Sequence, residues 1–210
     1  LEHCLTVIPD AVQTAPEVLC RLGWFATALE GFRRGGFRPG MTVAIHGASG
    51  LLGASAALVA CAIGAGEVWL IGRRADHLAE LARLDPRIRV EAAGDATPLD
   101  LILDCAGGDA AATTSALVTR LKRYGSTVFV GALSAPVAVD TSRLMRNSTS
   151  LVGSFWFSHE TAADVLALVG SGALNLGAVR ATTFDLDQIG NAMKHRVVMS
   201  GGLTHVALKP

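Results

Sequence analysis

The sequence carries little charge and few aromatic rings: 17% of its 210 residues are Asp, Glu, Lys or Arg and 5% are Phe, Trp or Tyr. Its charge is balanced, 18 basic against 18 acidic residues, so there is no field that would hold a nucleic acid or an anionic bilayer non-specifically. Neither partner is expected. The four cysteines, Cys4, Cys20, Cys61 and Cys105, form no Cys-x-x-Cys pair, and no signal-peptide pattern opens the chain. This argues against a disulfide scaffold or closed zinc knuckle and for a reducing, cytoplasmic setting. A bilayer span would need about 20 predominantly apolar residues in a row. The uncharged stretch from Thr42 to Gly66 is interrupted by Gly47, Gly50, Gly53, His46 and Ser49, so it reads as a buried strand, a glycine turn and a buried helix. What the chain does have is small apolar residues, 50% hydrophobic in all, enough to fill the core of one compact domain.

Thr14-Ala-Pro16-Glu17 has the spacing of a capping box and predicts a helix from about Ala15 toward Arg34, broken near Gly23. After the Gly35-Gly36 punctuation, strands are predicted at 41–45, 68–71, 88–90, 101–103, 127–130 and 150–155. Helices are predicted between them at 50–63, 75–84 and 110–122. A helix over 161–169, a strand at 182–184, a helix over 186–194 and a strand at 203–208 complete the chain. Strands alternating with helical patterns, with glycines at the junctions, are the sequence form of right-handed βαβ units, so the fold class is α/β: a doubly wound parallel (Rossmann) sheet with helices on both faces.

Gly47-Ala-Ser49-Gly50-Leu51-Leu52-Gly53 follows the first apolar strand and opens a helix, the context a dinucleotide fingerprint requires. The helix N-terminus would offer free N–H groups to a pyrophosphate. Nineteen positions after Gly53 the next strand ends in Gly72-Arg73-Arg74, where an NAD-binding domain usually places a carboxylate to accept from the ribose 2′-hydroxyl. A small residue and two guanidinium groups instead suit a 2′-phosphate, so the expected cofactor is NADP(H). Asp104-Cys105-Ala106-Gly107-Gly108 and Gly131-Ala132 end the later strands with small residues; they read either as walls for the cofactor's riboses or as ordinary strand-to-helix turns.

Taken in order, the 39–53 stretch, the Asp104-to-Gly107 strand end, Tyr124 to Gly131, Val152-Gly153-Ser154 and the closing Gly201-Gly202-Leu…Leu208-Lys-Pro210 resemble the medium-chain dehydrogenase/reductase superfamily, the zinc-type alcohol dehydrogenases and quinone oxidoreductases. The resemblance adds Gly153 and Ser154 to the expected cofactor contacts and implies a homodimer. It also implies a GroES-like catalytic domain upstream of the abrupt start at Leu1. On that reading residues 1–36 are an entry segment and linking helix, 37–180 the dinucleotide-binding domain, and 181–210 a segment returning toward the catalytic half. Pro16-Glu-Val-Leu-Cys20 resembles the stretch that carries a catalytic zinc ligand in zinc members. The Gly-x-Thr that commonly follows is Arg21-Leu-Gly23-Trp24 here, and a cysteine among Val18, Leu19 and Leu22 reads more readily as a small core residue. Zinc is therefore possible but not favoured, and no catalytic residue is assigned.

The function expected is hydride transfer between NADP(H) and a small-molecule alcohol or carbonyl, quinone or activated alkene. The alternative is an NADP(H)-binding or sensing module without turnover. A short-chain dehydrogenase would need a Tyr-x-x-x-Lys pair, and the one tyrosine, Tyr124, is followed by Gly-Ser-Thr-Val.

Overall fold

The computed structural model describes residues 5–199 and 201–210; residues 1–4, with Cys4, lie outside the described residues. The chain begins with α1 (Pro16–Leu19) and α2 (Leu22–Arg34). It then alternates β1 (Thr42–His46), α3 (Leu51–Ala62), β2 (Glu67–Ile71), α4 (Ala75–Ala82), β3 (Ile88–Val90), β4 (Leu99–Asp104), α5 (Ala111–Val118) and β5 (Leu121–Phe129). There follow α6 (Thr141–Asn147), β6 (Ser150–Gly153), α7 (His159–Gly170), β7 (Arg180–Asp185), α8 (Ile189–Met199) and β8 (Thr204–Lys209).

Six of these strands form one sheet in the order β3-β2-β1-β4-β5-β6, and every neighbouring pair is parallel. This is the doubly wound arrangement, with the direction of winding reversing between β1 and β4, the place where such sheets open a crevice for ligands. The side-chain alternation of the central strands feeds both faces. Val43, Ile45, Leu101, Leu103 and Val128 pack with Phe25, Phe32 and α3 on one side; Ala44, Ile102 and Leu99 pack with Leu117 and Val118 on the other. Helix α3 carries no charged residue and buries Ala54, Ala56, Ala57 and Ala60, small side chains that let it lie close to the sheet. A two-stranded parallel sheet, β7 with β8, stands apart. No helix among the described residues is long and apolar enough to cross a membrane.

Several expected boundaries shift. The capping box does not form: Ala15 is the N-cap of α1 and no side chain caps it. The break falls at Cys20 and Arg21, ahead of Gly23. The helix expected over 110–122 stops at Val118, because Leu121 enters β5, whose register against β4 jumps from Leu99↔Leu121 to Leu101↔Ser126 with Tyr124 at φ 63° in the irregular stretch. The strand expected at 150–155 ends at Gly153. Helix α6 was not expected; it is capped by Asp140, which accepts from the Arg143 N–H. The last helix runs on past Lys194 to Met199.

Candidate dinucleotide cleft

The parallel register sets His46 beside Ile71 and Asp104, Asp104 beside Phe129, and Phe129 beside Gly153. The residues just after these strand ends therefore share one edge of the sheet. Between β1 and β4 that edge holds a cleft of about 740 Å³ lined by Gly47, Ser49, Gly50, Gly72, Arg73, Arg74, Cys105, Ala106 and Gly107. Nine of the expected residues thus come together. Leu51, Leu52 and Gly53 belong to the first turn of α3 behind the glycine turn, and Asp104 lies beneath the floor. Gly131, Ala132, Gly153 and Ser154 are further along the edge, outside this cleft. A tenth expected residue, Gly108 of the 104–108 strand end, also lines the cleft, together with His46, Asp109, Ala110 and Thr113, which sequence reasoning missed as a lining; the glycine pair at 107–108 was the one signal that the β4–α5 loop comes close.

The turn is built by backbone proximity. Gly47 sits at φ +80°, and a Cβ there would come 2.9 Å from the backbone of Ala106 in the facing loop. At Gly53 a Cβ would lie 2.6 Å from the Cα of Ala48, so only glycine lets α3 return this tightly over the turn. Gly50 is the N-cap of α3 and no side chain caps the helix. The first-turn N–H groups of Leu51, Leu52 and Gly53 have no intrahelical acceptor by helix geometry, and the helix dipole adds partial positive charge. A phosphate-bearing ligand fits this cradle, since it supplies the acceptors the helix end lacks.

Under the floor lies a buried polar knot. Thr114 Oγ1 on α5 donates to Asp104 Oδ2 at 2.6 Å, and the Ala106 N–H donates to Asp104 Oδ1 at 2.9 Å. His46 Nδ1 is 3.2 Å from Thr114 Oγ1 and 3.3 Å from Asp104 Oδ1. The Thr114 proton is committed to the carboxylate, so the hydrogen-bond accounting assigns the His46 proton to Nδ1, facing these two acceptors. Asp104 is 1% exposed; it shapes the loop and does not touch the cleft. The Cys105 thiol is pushed well above its ordinary range by burial and then by the Asp104 charge beside it, which makes it a poor nucleophile.

Cys20 is exposed at the C-terminal end of α1, so the expected core packing is corrected: the turn after Leu19 points it outward, and its neighbour Arg21 goes inward instead. Among the described residues no group of three or more His, Cys, Asp or Glu side chains is placed to hold a metal ion. Catalytic zinc needs three protein ligands, and the donors described here do not fit that requirement.

A doubly wound parallel sheet with a glycine turn and an uncapped helix at its switch point is a Rossmann-like α/β fold. The sequence profile of zinc-binding dehydrogenases matches residues 52–171, more than half of the chain, and the chain belongs to that family. No curated protein sequence matches it. Among solved structures it is similar to an alcohol dehydrogenase of E. coli CFT073 complexed with NADH (18% identity, TM-score 0.83, 98% of this chain and 62% of that one). It is also similar to S. aureus TarJ in complex with NADPH (17%, 0.75, 97% and 67%) and to the 2R,3R-butanediol dehydrogenase of Bacillus subtilis (16%, 0.81, 97% and 60%). Likeness at these identities shows the fold. The chain spans about 60–67% of the length of these proteins.

Proposed function

We propose that this chain is the cofactor-binding part of an oxidoreductase that uses NADP(H). The observation that carries the reading is the cleft itself: an uncapped α3 N-terminus behind a glycine turn, with Arg73 and Arg74 at the end of β2 where a carboxylate would otherwise meet the ribose 2′-hydroxyl. The similar structures solved with NADH and with NADPH support a nicotinamide dinucleotide as the ligand. When bound, the cofactor supplies hydride transfer to or from an alcohol or carbonyl, quinone or activated alkene. The chain's own groups bind and orient. The glycine turn and the first turn of α3 would hold the pyrophosphate, the Arg73–Arg74 corner the adenosine end, and the 104–107 loop the opposite wall. Gly131, Ala132, Gly153 and Ser154 lie along the same edge in the direction a dinucleotide would extend toward its nicotinamide.

A second reading, binding without turnover, has one observation in its favour: Asp104 is buried beneath the floor and the Cys105 thiol is raised, so Asp104 does not reach the cleft as a proton donor and Cys105 is not a ready nucleophile. Titration of the purified chain with NADPH and NADH tests the proposal. NADPH is expected to bind at least ten-fold more tightly, about 1.4 kcal/mol; equal affinities refute the NADP(H) preference, and no binding of either refutes the cleft assignment. Reduction of an aldehyde or quinone by the same sample would exclude the second reading.

A further inference from the structure

The two arginines after β2 stand in different surroundings. Arg73 is exposed at the cleft and makes no hydrogen bond or ion pair among the described residues. Arg74 also borders the cleft but is half-buried and anchored: its Nη2 donates to the Ser49 carbonyl at 2.7 Å. That carbonyl also accepts the Gly202 N–H at 3.0 Å and lies 3.1 Å from His77 Nδ1 on α4. As a carbonyl can only accept, His77 carries its proton on Nδ1 here. Three donors on one oxygen fix the Ser49–Gly50 peptide, and this is the peptide from which α3 starts.

The room for Arg74 comes from 127 positions further along the chain. Gly201, at φ +145°, lies against its guanidinium, and a Cβ on that glycine would come 2.6 Å from Cζ. The neighbouring Gly202 carbonyl accepts from Arg21 Nη2, which also donates to the Leu51 carbonyl in the first turn of α3 at 2.7 Å. The turn before β8 thus straps the glycine turn from two sides, and Arg74 is one buckle of that strap.

We propose that the two arginines divide the work. Arg73 selects for the 2′-phosphate. Arg74 is a positioning residue that, through the Ser49 carbonyl and the Gly201–Gly202 turn, holds the pyrophosphate-binding backbone in place. This rests on the dinucleotide reading above. It departs from the simpler view in which both guanidinium groups clamp the phosphate, because Nη2 of Arg74 is engaged by the Ser49 carbonyl and its guanidinium is packed against Gly201, while Arg73 is exposed at the cleft.

The test is calorimetric titration of the full chain with NADPH, NADH, ADP and 2′-AMP. For Arg73→Ala, NADPH affinity should fall about ten-fold to the level of NADH and 2′-AMP affinity should fall with it, while NADH and ADP stay within two-fold. Arg74→Ala should weaken NADPH, NADH and ADP by a common factor of about five to ten and leave 2′-AMP within two-fold, so the NADPH-to-NADH ratio persists. Gly201→Ala, which displaces the guanidinium without deleting it, should copy Arg74→Ala, and Arg74→Lys should restore part of the loss. These two variants carry the test if Arg74→Ala does not fold. A selective loss of NADPH and 2′-AMP in the Arg74 variants would overturn the proposal, as would unchanged affinities. A wild-type chain that binds none of the four ligands overturns the dinucleotide reading itself, a result separate from either of these.

Discussion

Thr114→Val isolates the polar knot that supports the cleft. The substitution keeps the shape of the side chain and replaces a hydroxyl with a methyl group. Thr114 is fully buried and Asp104 is 1% exposed, so no water replaces the lost donor. The carboxylate keeps the Ala106 N–H at 2.9 Å and the longer approach of His46 at 3.3 Å, but Oδ2 loses its 2.6 Å partner. Hydrogen bonds to charged groups contribute about 1.5–3 kcal/mol, and an unsatisfied buried acceptor costs toward the upper end of that range. A loss of about 2–3 kcal/mol is expected, which for a chain of this size lowers the melting temperature by about 4–12 °C. Urea unfolding of the wild type, Thr114→Val, Asp104→Asn and the double variant forms a cycle in which the two changes should couple by about 1 kcal/mol or more. Because Asp104 also ties down the Ala106 N–H, the single variant should weaken dinucleotide binding along with stability. A Thr114→Val protein within 0.5 kcal/mol of wild type, or strict additivity in the cycle, would refute the view that this knot shapes the loop.

Gly53→Ala drives a Cβ to 2.6 Å from the Ala48 Cα, a backbone clash that cannot be relieved by a rotamer; it should cost about 1–3 kcal/mol and reduce NADPH affinity more than ten-fold, and a variant that binds normally would remove the close-packing role. His205 has its pKa lowered by burial, so it folds neutral while the unfolded chain takes up a proton below about pH 6.5. Its contribution is complete above that pH and is lost as the pH falls through the lower folded value, so the melting temperature of the wild type relative to His205→Gln should decline from pH 7 to pH 5; a constant difference would refute it. Strand β6 ends the sheet with Leu151 40% exposed, and Phe155 and Trp156 just beyond it are 89% and 56% exposed. Pairing of two copies across this edge is expected, and sedimentation of a monomer at tens of micromolar would count against it.

The sheet was legible because its central strands are short apolar runs separated by glycine, and a strand buried on both faces has few other sequences open to it. The glycine turn was legible for the same kind of reason: Gly47 and Gly53 stand where a Cβ would meet backbone. What sequence could not give was anything set by contacts distant along the chain. Arg73 and Arg74 are the same residue type side by side, and what distinguishes them is the contact of Arg74 with the Ser49 carbonyl and with Gly201, both distant along the chain. Cys20 and Arg21 present the reverse surprise, an exposed thiol beside a guanidinium that is 1% exposed; local apolar neighbours favoured the cysteine for the interior. The capping box failed because its spacing is a local rule, and α1 is a four-residue turn positioned by its contacts with the β7–β8 sheet.

Arg21 ties the turn before the C-terminal strand to the glycine turn. Burial lowers its pKa to about 10, and in place of a carboxylate it has two carbonyls, Leu51 and Gly202, and the Ser55 hydroxyl. A buried cation held by neutral oxygens is tolerated only where the surrounding backbone is fixed. Here one of those carbonyls belongs to the first turn of α3 and another to the turn before β8. Separating the two segments would take one of its three acceptors from the guanidinium, so the cost of burying this charge binds the glycine turn to the turn before β8. With the Gly202 N–H and Arg74, which packs against Gly201, converging on the Ser49 carbonyl, the geometry of the glycine turn is set as much by residues 201–202 as by the glycine motif that marks it.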